Sequence, residues 1–266
     1  MKYSEFYLAF ENKFRGSSED LNDKLVFYDG LLDEIISRFP NCCLLDIGSG
    51  RGEWLMKCKK LGIQSLGIDN NDCMVKSCQD QGLNIKYGDA LDILKTLENN
   101  SYQIITSFHF IEHIPFNMLL DILEECKRIL IPGGTLILET PSIDNILVSS
   151  KNFYLDPTHS THIHPEAITF ALDYLKFSES HYFLINSDIP STSSYKKLSS
   201  IFSEVGQDVS IISYLHAADK ISLFDQSLDW MKNLNSTKNT LATILEYDHN
   251  FETTFNEDHR KVEHLM

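Results

Sequence analysis

A glycine-rich turn after an apolar run constrains the fold more than any other stretch of this chain. Residues 42–47 are apolar except for Asp46, and glycines follow at positions 48, 50 and 52. Glycine has no Cβ, so it accepts a positive φ and lets a ligand approach the backbone closely. Residues 53–61 then place apolar side chains at helical spacing. The sequence therefore predicts a buried strand, a glycine turn and a helix whose N-terminus faces a ligand.

Strands and helices alternate along most of the chain, which indicates parallel strands with right-handed connections. Apolar runs predict strands at residues 42–47, 65–68, 83–87, 102–108, 135–139, 181–185 and 208–215. Helical spacing predicts helices at residues 3–14, 19–39, 53–61, 73–81, 92–98, 117–130 and 165–175. The predicted fold class is therefore α/β, a doubly wound and mainly parallel seven-stranded sheet whose last two strands pair antiparallel at one edge.

The chain divides into an N-terminal cap, a sheet domain and a C-terminal extension. Residues 1–40 form the helical cap, residues 41–217 the sheet domain, and residues 218–266 a helical extension with a polar tail. Residues 141–165 lack helical or strand periodicity, and a long irregular insertion in a compact domain is often functional. The apolar positions of residues 222–247 either pack on the domain itself or join a partner or a second copy of the chain.

Charge and cysteine usage exclude several classes of protein. The formal net charge of -15 argues against a nucleic-acid binder, because such a protein needs a basic face to displace counterions. No apolar stretch is long enough to span a membrane, and the N-terminus has no secretory signal. The six cysteines form no C-x-x-C pair, so we expect reduced core residues in a cytoplasmic protein.

Polar residues and glycine follow the predicted strands, where the carboxyl ends of the strands meet at one edge of the sheet. Ligands bind beyond that edge in doubly wound sheets. The residues at or just past it are Gly48, Asp69, Asp89, His109, His113 and Glu139. Their convergence predicts a single binding site at this edge.

The glycine turn and the motifs after it resemble those of class I S-adenosylmethionine (SAM) methyltransferases. The matching stretches are Asp46-Ile-Gly-Ser-Gly-Arg-Gly, Asp69, Gly88-Asp-Ala, Ser107-Phe-His-Phe-Ile-Glu-His-Ile-Pro and Pro132-Gly-Gly-Thr-Leu-Ile-Leu-Glu-Thr-Pro. A dinucleotide-binding turn has its third glycine one residue later, and a P-loop has a Gly-Lys-Ser/Thr that is missing here. The resemblance implies a Rossmann-like methyltransferase fold with SAM as cofactor.

The resemblance also implies which residues hold the cofactor. They are Arg15, Asp46, Gly48, Ser49, Gly50, Gly52, Asp69, Asn70, Asp89, Ala90 and His109. The glycine turn approaches the methionine portion of SAM, Asp69 holds the ribose and Asp89 holds the adenine. His109 faces the methyl-bearing sulfur, and Arg15 pairs with the SAM carboxylate or with a substrate anion.

Two further stretches resemble a bacterial group of O-antigen chain-terminating methyltransferases. They are Phe10-Glu-Asn-Lys-Phe-Arg-Gly-Ser and Asn152-Phe-Tyr-Leu-Asp-Pro-Thr-His. This resemblance implies methyl transfer to a sugar hydroxyl or a terminal phosphate of a bacterial surface glycan or its precursor. The residues from which we expect substrate contacts are Asn152, Tyr154, His162 and His164.

The histidines predict proton-transfer chemistry, because a hydroxyl acceptor must lose its proton as the methyl group arrives. We expect His113 or His159 to act as base, with Glu112 or Asp156 orienting it. The residues of a competing metal site are Asp156, His159, His162 and His164. Their spacing matches neither a helical ligand pair nor a zinc knuckle, so no metal is expected.

Two alternative functions stay open at this point. His-x-x-Glu-His-Ile-Pro, starting at His109, is widespread among enzymes that methylate small quinone-type phenols, so a small-molecule O-methyltransferase also fits. A non-catalytic SAM-binding scaffold would instead use residues 222–247 to hold a partner.

Overall fold

A seven-stranded sheet organises the part of the chain that the structure, a computed structural model, describes, which is residues 2–187 and 205–215. The strands are β1 (Cys43–Ile47), β2 (Gln64–Asp69), β3 (Ile85–Tyr87), β4 (Tyr102–Phe108), β5 (Leu130–Pro141), β6 (Phe177–Ile185) and β7 (Asp208–Leu215). Their order is β3-β2-β1-β4-β5-β7-β6. β1 to β5 run parallel, and β7 is antiparallel to both β5 and β6. The predicted doubly wound sheet with an antiparallel edge is confirmed.

Helices connect the strands and cover both faces of the sheet. They are α1 (Tyr3–Phe14), α2 (Ser18–Leu25), α3 (Asp29–Arg38), α4 (Glu53–Lys60), α5 (Asp72–Asp80), α6 (Ala90–Leu94), α7 (Phe116–Ile129), α8 (Ile146–Ser150) and α9 (Pro165–Tyr174). Local signals begin several of them. Ser17 and Asp20 form a capping box at α2, and the Asn71 side chain accepts from the first backbone N–H groups of α5.

Adjacent residues of β1 belong to different cores, because successive side chains of a strand point to opposite faces. Leu44 is fully buried with α3 residues such as Leu32 on one face. Leu45 is fully buried on the other face with Leu123 of α7. Burial on both faces explains the nearly continuous apolar run before the glycine turn, and it fixes that turn at the carboxyl edge of the sheet.

The predicted single helix over residues 19–39 is wrong. A 3-10 turn at Val26–Tyr28 separates α2 from α3. The apolar spacing runs through the break, which is why the sequence reads as one helix. At the break Tyr28 turns completely into the core, where its hydroxyl donates a 2.5 Å hydrogen bond to Glu139 Oε2. This buried pair ties the N-terminal helices to β5.

Several boundaries also differ from the prediction. Residues 141–165 are not wholly irregular, since they contain α8 and a 3-10 turn at Asn152–Leu155. β5 and β6 begin earlier than predicted, and α6 ends earlier. The six cysteines are free thiols, as expected. Among the described helices, none has the length and apolar character that a membrane crossing requires. The predicted C-terminal extension, residues 218–266, lies outside the described residues.

Candidate active site

Backbone hydrogen bonds link the glycine turn, which follows β1, to the end of β2. The N–H groups of Gly48 and Ser49 both donate to the Ile68 carbonyl, at 2.9 and 3.0 Å. Gly48 has φ +74°, and a Cβ there would lie 2.8 Å from the Phe110 ring. Gly50 has φ +52°, but no atom lies within 4 Å of where its Cβ would be. The turn is therefore tightly packed at its first glycine and open at its second.

Two carboxylates, the buried Asp46 and the half-buried Asp69, support the turn. Thr106 Oγ1 donates a 2.7 Å hydrogen bond to Asp46 Oδ1, and burial raises the pKa of Asp46 to about 6. Asp69 accepts from the Gly50 N–H at Oδ2 and from the Asn71 N–H at Oδ1, both at 2.8 Å. Burial also raises the pKa of Asp69, although these two N–H groups oppose the shift. Each Asp69 oxygen keeps a lone pair for a further donor.

α1 crosses this edge of the sheet and contacts three neighbouring segments. Tyr7 Oη donates a 2.8 Å hydrogen bond to Asp156 Oδ2, in the segment after α8. Arg51 of the glycine turn donates to the Gly16 carbonyl at 3.1 Å, just after α1. Asn71, at the start of α5, donates to a backbone carbonyl of α1 at 3.3 Å. α1 therefore covers this edge of the sheet.

A cavity of about 240 Å³ lies under α1, between the glycine turn and the segment after α8. The predicted site residues that line it are Arg15, Asp46, Gly48, Ser49, His109, His113, Asn152, Asp156 and His159. Arg15 is paired with Glu11 at 3.1 Å. Burial lowers the pKa of Arg15, but Glu11 and Glu53 outweigh it and hold that pKa above its usual range.

Three carboxylates surround His109 at the end of β4. Its Nδ1 lies 3.4 Å from Glu112 Oε1, and its Nε2 lies 3.2 Å from Glu139 Oε1 and 3.6 Å from Asp208 Oδ1. Burial alone would lower the pKa of His109, but these carboxylates raise it to about 10. Its backbone has φ 52°, an uncommon value for a residue with a Cβ, and its N–H donates to the Glu139 carbonyl at 2.8 Å. His109 is therefore a fixed cation rather than a proton acceptor.

His113 and His159 pack against each other beside the buried Glu112. Their ring centroids are 4.7 Å apart at an interplanar angle of 63°. His159 Nε2 lies 3.9 Å from Glu112 Oε1, and its Nδ1 lies 2.7 Å from the Phe153 carbonyl. Burial lowers the pKa of His159 despite the nearby Glu112, which favours the neutral ring. We call Glu112, His113 and His159 the Glu-His-His cluster.

Asp156 orients His113 through Thr158. Thr158 Oγ1 donates a 2.6 Å hydrogen bond to Asp156 Oδ1 and lies 2.8 Å from His113 Nδ1. Burial would raise the pKa of Asp156, but its bonds from Thr158 and Tyr7 lower it. The two predicted orienting residues thus contact different histidines. Asp156 acts on His113 through Thr158, and Glu112 lies next to His159.

Comparison with known proteins agrees with this architecture. Residues 45–138 match a family described as a methyltransferase domain. A SAM-dependent methyltransferase of known structure from Archaeoglobus fulgidus is 31% identical, with a TM-score of 0.66 over 79% of this chain and 99% of that one. The chain belongs to the SAM-dependent methyltransferases. SAM is therefore its cofactor.

Two further relatives cover less or are more distant. A ubiquinone biosynthesis O-methyltransferase of Xanthomonas campestris pv. campestris is 29% identical over 116 residues, which are 41% of this chain and 48% of that protein. The chain thus matches about half the length of this curated relative. The phosphoethanolamine N-methyltransferase 2 of Haemonchus contortus, solved with SAM, is 15% identical with a TM-score of 0.53, over 79% of this chain and 60% of that one. That likeness concerns the fold alone.

In this methyltransferase, the residues predicted to hold adenosine lie outside the 240 Å³ cavity. Asp69 bonds to the turn as described, and Asn70 beside it is exposed. Asp89 is exposed and caps α6 by accepting from the Asp92 N–H at 3.2 Å, next to the buried Ala90. Gly50 and Gly52 belong to the turn itself. The ribose and adenine roles stay predictions.

Of the four predicted substrate residues, only Asn152 is among the residues lining this cavity. Tyr154 is 67% exposed, and His162 stacks on the Phe153 ring with centroids 3.6 Å apart. His164 is exposed, and its Nδ1 caps α9 by accepting from the Glu166 N–H. Among the described residues, the predicted metal set that includes His162 and His164 is not brought together, whereas the Glu-His-His cluster is.

Sequence reasoning missed several polar residues of the methyltransferase site. They are Tyr7, Tyr28, Thr140, Thr158 and Asp208. Only Thr158 carries a local signal, because a short hydroxyl side chain after Asp-Pro commonly bonds back to its own turn.

Proposed function

We propose that the chain transfers the SAM methyl group to a hydroxyl oxygen of a neutral acceptor, which we take to be a sugar of a bacterial surface glycan or its precursor. One observation carries this proposal. Two imidazole rings, His113 and His159, line the cavity with their Nδ1 atoms engaged, so that the Nε2 atoms are left for the acceptor. A hydroxyl needs such a group because its proton must leave during the reaction.

The residues at the sheet edge fit the cofactor. Gly50 leaves open space at the turn, and Asp69 has lone pairs for two ribose hydroxyls. Arg15 is the cation of the cavity that suits a carboxylate. When bound, SAM supplies a methyl group on sulfonium sulfur, and the acceptor O–C bond forms as the C–S bond breaks with its electron pair passing to sulfur. The protein's task is to align the acceptor and exclude water.

The charge of the cavity favours a neutral acceptor over a terminal phosphate. The carboxylates lining it are Glu11, Asp46, Glu53, Glu139 and Asp156, and the cationic side chains are Arg15, Lys24 and His109. A phosphate monoester would meet more negative than positive charge here, whereas a hydroxyl would not.

A small phenolic acceptor is the second candidate. The observation that favours it is the relative named as a ubiquinone biosynthesis O-methyltransferase, which is 29% identical over 116 residues. Both candidate functions transfer the methyl group to an oxygen atom. They differ in whether the acceptor is a phenol or a sugar, and the assay described below distinguishes the two.

The proposal extends to the organisation of the whole chain. We propose residues 1–40 as a cap, residues 41–217 as the catalytic domain, and residues 218–266 as an extension for a partner or a second copy of the chain. The free cysteines support a reducing compartment such as the cytoplasm.

The test is methyl transfer from labelled SAM to neutral oligosaccharides, phosphorylated sugars and phenols. We expect label on a sugar hydroxyl. Label only on phenols would support the second candidate, and label only on phosphate would contradict a neutral acceptor. SAM binding without any transfer would instead indicate a scaffold.

The roles of the histidines are tested with His113→Asn and His159→Asn. Each should lower kcat by about 100-fold, within the range for proton-transfer groups, while leaving the SAM Kd unchanged. His181→Asn, on the distant strand β6, is the matched control. Full activity in both cavity variants would contradict activation by these rings.

A further inference from the structure

The Glu-His-His cluster gathers three metal-binding side chains at one wall of the cavity. One ligand atom from each of Glu112, His113 and His159 lies within 4.8 Å of the other two. We propose that this cluster binds a divalent transition-metal ion, to which the acceptor oxygen coordinates. The inference rests on the proposed function for its acceptor, but not for the binding of the ion.

The hydrogen bonds of both rings leave the right atoms free for a metal. The Phe153 carbonyl can only accept, so His159 Nδ1 carries the proton and Nε2 carries the lone pair of the neutral ring. Thr158 donates its hydroxyl hydrogen bond to Asp156, so it accepts from His113 Nδ1, and Nε2 is the nitrogen of the neutral His113 ring that carries the lone pair. In the neutral rings the Nε2 atoms are therefore the ones available to a metal, and a neutral imidazole nitrogen is the form that ligates metals.

Glu112 supplies an independent indication of a ligand. Its side chain is fully buried, and Oε2 accepts from Thr140 Oγ1 at 3.0 Å. Among the described residues Oε1 makes no hydrogen bond of ordinary geometry, and its ion-pair partner is the cationic His109, whose Nδ1 lies 3.4 Å away. Oε1 faces His159 Nε2 at 3.9 Å. The long contact to His109 leaves Oε1 able to ligate an ion held with His159, which would give the buried carboxylate a second cation.

Each of the three side chains is held on its other side, as metal ligands usually are. Thr140 holds Glu112, the Phe153 carbonyl holds His159, and Thr158 with Asp156 behind it holds His113. Such outer partners fix the ring orientation and raise the basicity of the ligating atom. An accidental meeting of two histidines and an acid would not require this support for all three.

The donor set favours a transition metal over magnesium, because two of the three donors are imidazole nitrogens. Zinc–nitrogen bonds of about 2.0–2.1 Å place neighbouring ligands roughly 3.3 Å apart, so the cluster must contract when the ion binds. Three protein ligands leave coordination positions open on the cavity side. Glu139, Asp156 and Asp208 add negative charge near the cluster, which offsets the cations Arg15, His109 and Lys24.

With the ion present, the acceptor hydroxyl binds to the metal instead of directly to a ring. The metal stabilises the oxyanion, the hydroxyl proton passes to water, and the O–C bond forms as the C–S bond breaks. Glu112, His113 and His159 then serve as ligands, and Asp156 and Thr158 act as positioning residues.

The site is tested first without activity, by calorimetric titration of the chelator-treated full chain with Zn²⁺, Mn²⁺ or Mg²⁺. We expect one Zn²⁺ or Mn²⁺ per chain, with weaker Mg²⁺ binding. Glu112→Gln and His159→Asn should each raise the Kd at least 10-fold. His164→Asn is the matched control, because asparagine preserves the helix cap of α9 and the residue lies outside the cluster.

A second readout covers the case in which the buried Glu112→Gln variant folds poorly. Co²⁺ gives a visible absorption band in a nitrogen-and-oxygen site, and His159→Asn should abolish it while His164→Asn should not. Absent binding, or equal Kd values in cluster and control variants, would overturn the metal site.

Activity separates failure of the metal site from failure of the proposed function. Chelation should lower kcat at least 10-fold, and Zn²⁺ or Mn²⁺ should restore it. Methyl transfer that survives chelation would overturn the metal site and leave the O-methyltransferase proposal standing. Metal binding without transfer to any acceptor would contradict the proposed function and leave the metal site standing.

Discussion

Tyr7 Oη donates a 2.8 Å hydrogen bond to Asp156 Oδ2, joining two residues that lie 149 positions apart in the chain. The bond links α1 to the segment after α8 that contains His159. Asp156 also holds Thr158, which contacts His113 Nδ1. One carboxylate therefore connects α1 to the side chains that hold His113 in place.

Removing the Tyr7–Asp156 hydrogen bond should weaken the attachment of α1 to the rest of the domain. Tyr7→Phe deletes only the hydroxyl, and a hydrogen bond to a charged acceptor contributes about 1.5–3 kcal/mol. We expect a comparable fall in the free energy of unfolding, together with weaker SAM binding, measured by urea denaturation and calorimetry. Tyr3→Phe, at a 62% exposed position of the same helix, is the control. Equal effects of both changes would contradict a structural role for the Tyr7–Asp156 bond.

The buried Asp46 should make stability depend on pH. Its folded pKa of about 6 exceeds the usual 3.8, so protonation favours the folded chain. This contribution is full below pH 3.8 and is lost as the pH rises through 6. The asparagine of Asp46→Asn is neutral at every pH. From pH 5 to pH 7.5 the free energy of unfolding of the wild type should therefore fall by about 1 kcal/mol relative to that of Asp46→Asn.

Urea denaturation at the two pH values, without SAM, measures this difference. Asp92→Asn, at an exposed carboxylate on α6, is the matched control. If the wild type and Asp46→Asn kept a constant difference, Asp46 would not be carrying a raised pKa in the folded chain.

Asp69 should control SAM affinity through the glycine turn. Asp69→Ala removes the acceptor of the Gly50 and Asn71 N–H groups and the predicted ribose contact. Loss of hydrogen bonds to a charged group should raise the SAM Kd by about 10-fold to 100-fold. Calorimetry tests this, with Asp80→Ala at the exposed end of α5 as control. A SAM Kd that stays at the wild-type value would remove Asp69 from the cofactor site.

Thr158 should act on turnover rather than on cofactor binding. Thr158→Val keeps the shape but removes the hydroxyl between Asp156 and His113. We expect kcat to fall by about 10-fold to 100-fold, the usual effect of losing such an outer partner, with the SAM Kd unchanged. Thr158→Ser restores the hydroxyl and should recover most of the rate. Failure of serine to rescue would indicate that the methyl group of Thr158, not its hydroxyl, matters.

The sequence predicts what depends on local pattern. Glycine spacing and strand ends identify the turn, Asp46 and Asp69, because parallel strands bring their carboxyl ends to one edge. The surroundings of His109 could not be predicted in the same way. Asp208 reaches it from β7, and Tyr28 reaches Glu139 from 111 positions away, so both contacts depend on register and packing. The helix break at Tyr28 was missed for the same reason.

The metal expectation illustrates the limit of spacing rules. A search for ligand pairs at helical or zinc-knuckle spacing sees neighbours in sequence. Glu112 and His113 follow β4, whereas His159 comes from the insertion after α8. Only the folded chain shows that these side chains meet, and that His164 instead caps a helix.

The insertion at residues 141–165 has an evolutionary consequence. Asn152, Asp156 and His159 enter the cavity from this one contiguous stretch, whereas the glycine turn and the residues after it belong to the sheet. Replacement of residues 142–164 would change the wall of the cavity that Asn152, Leu155, Asp156 and His159 form, and it would leave the strand pairings of the described residues intact. If these residues contact the acceptor as proposed, acceptor preference would evolve independently of the residues that are predicted to bind SAM.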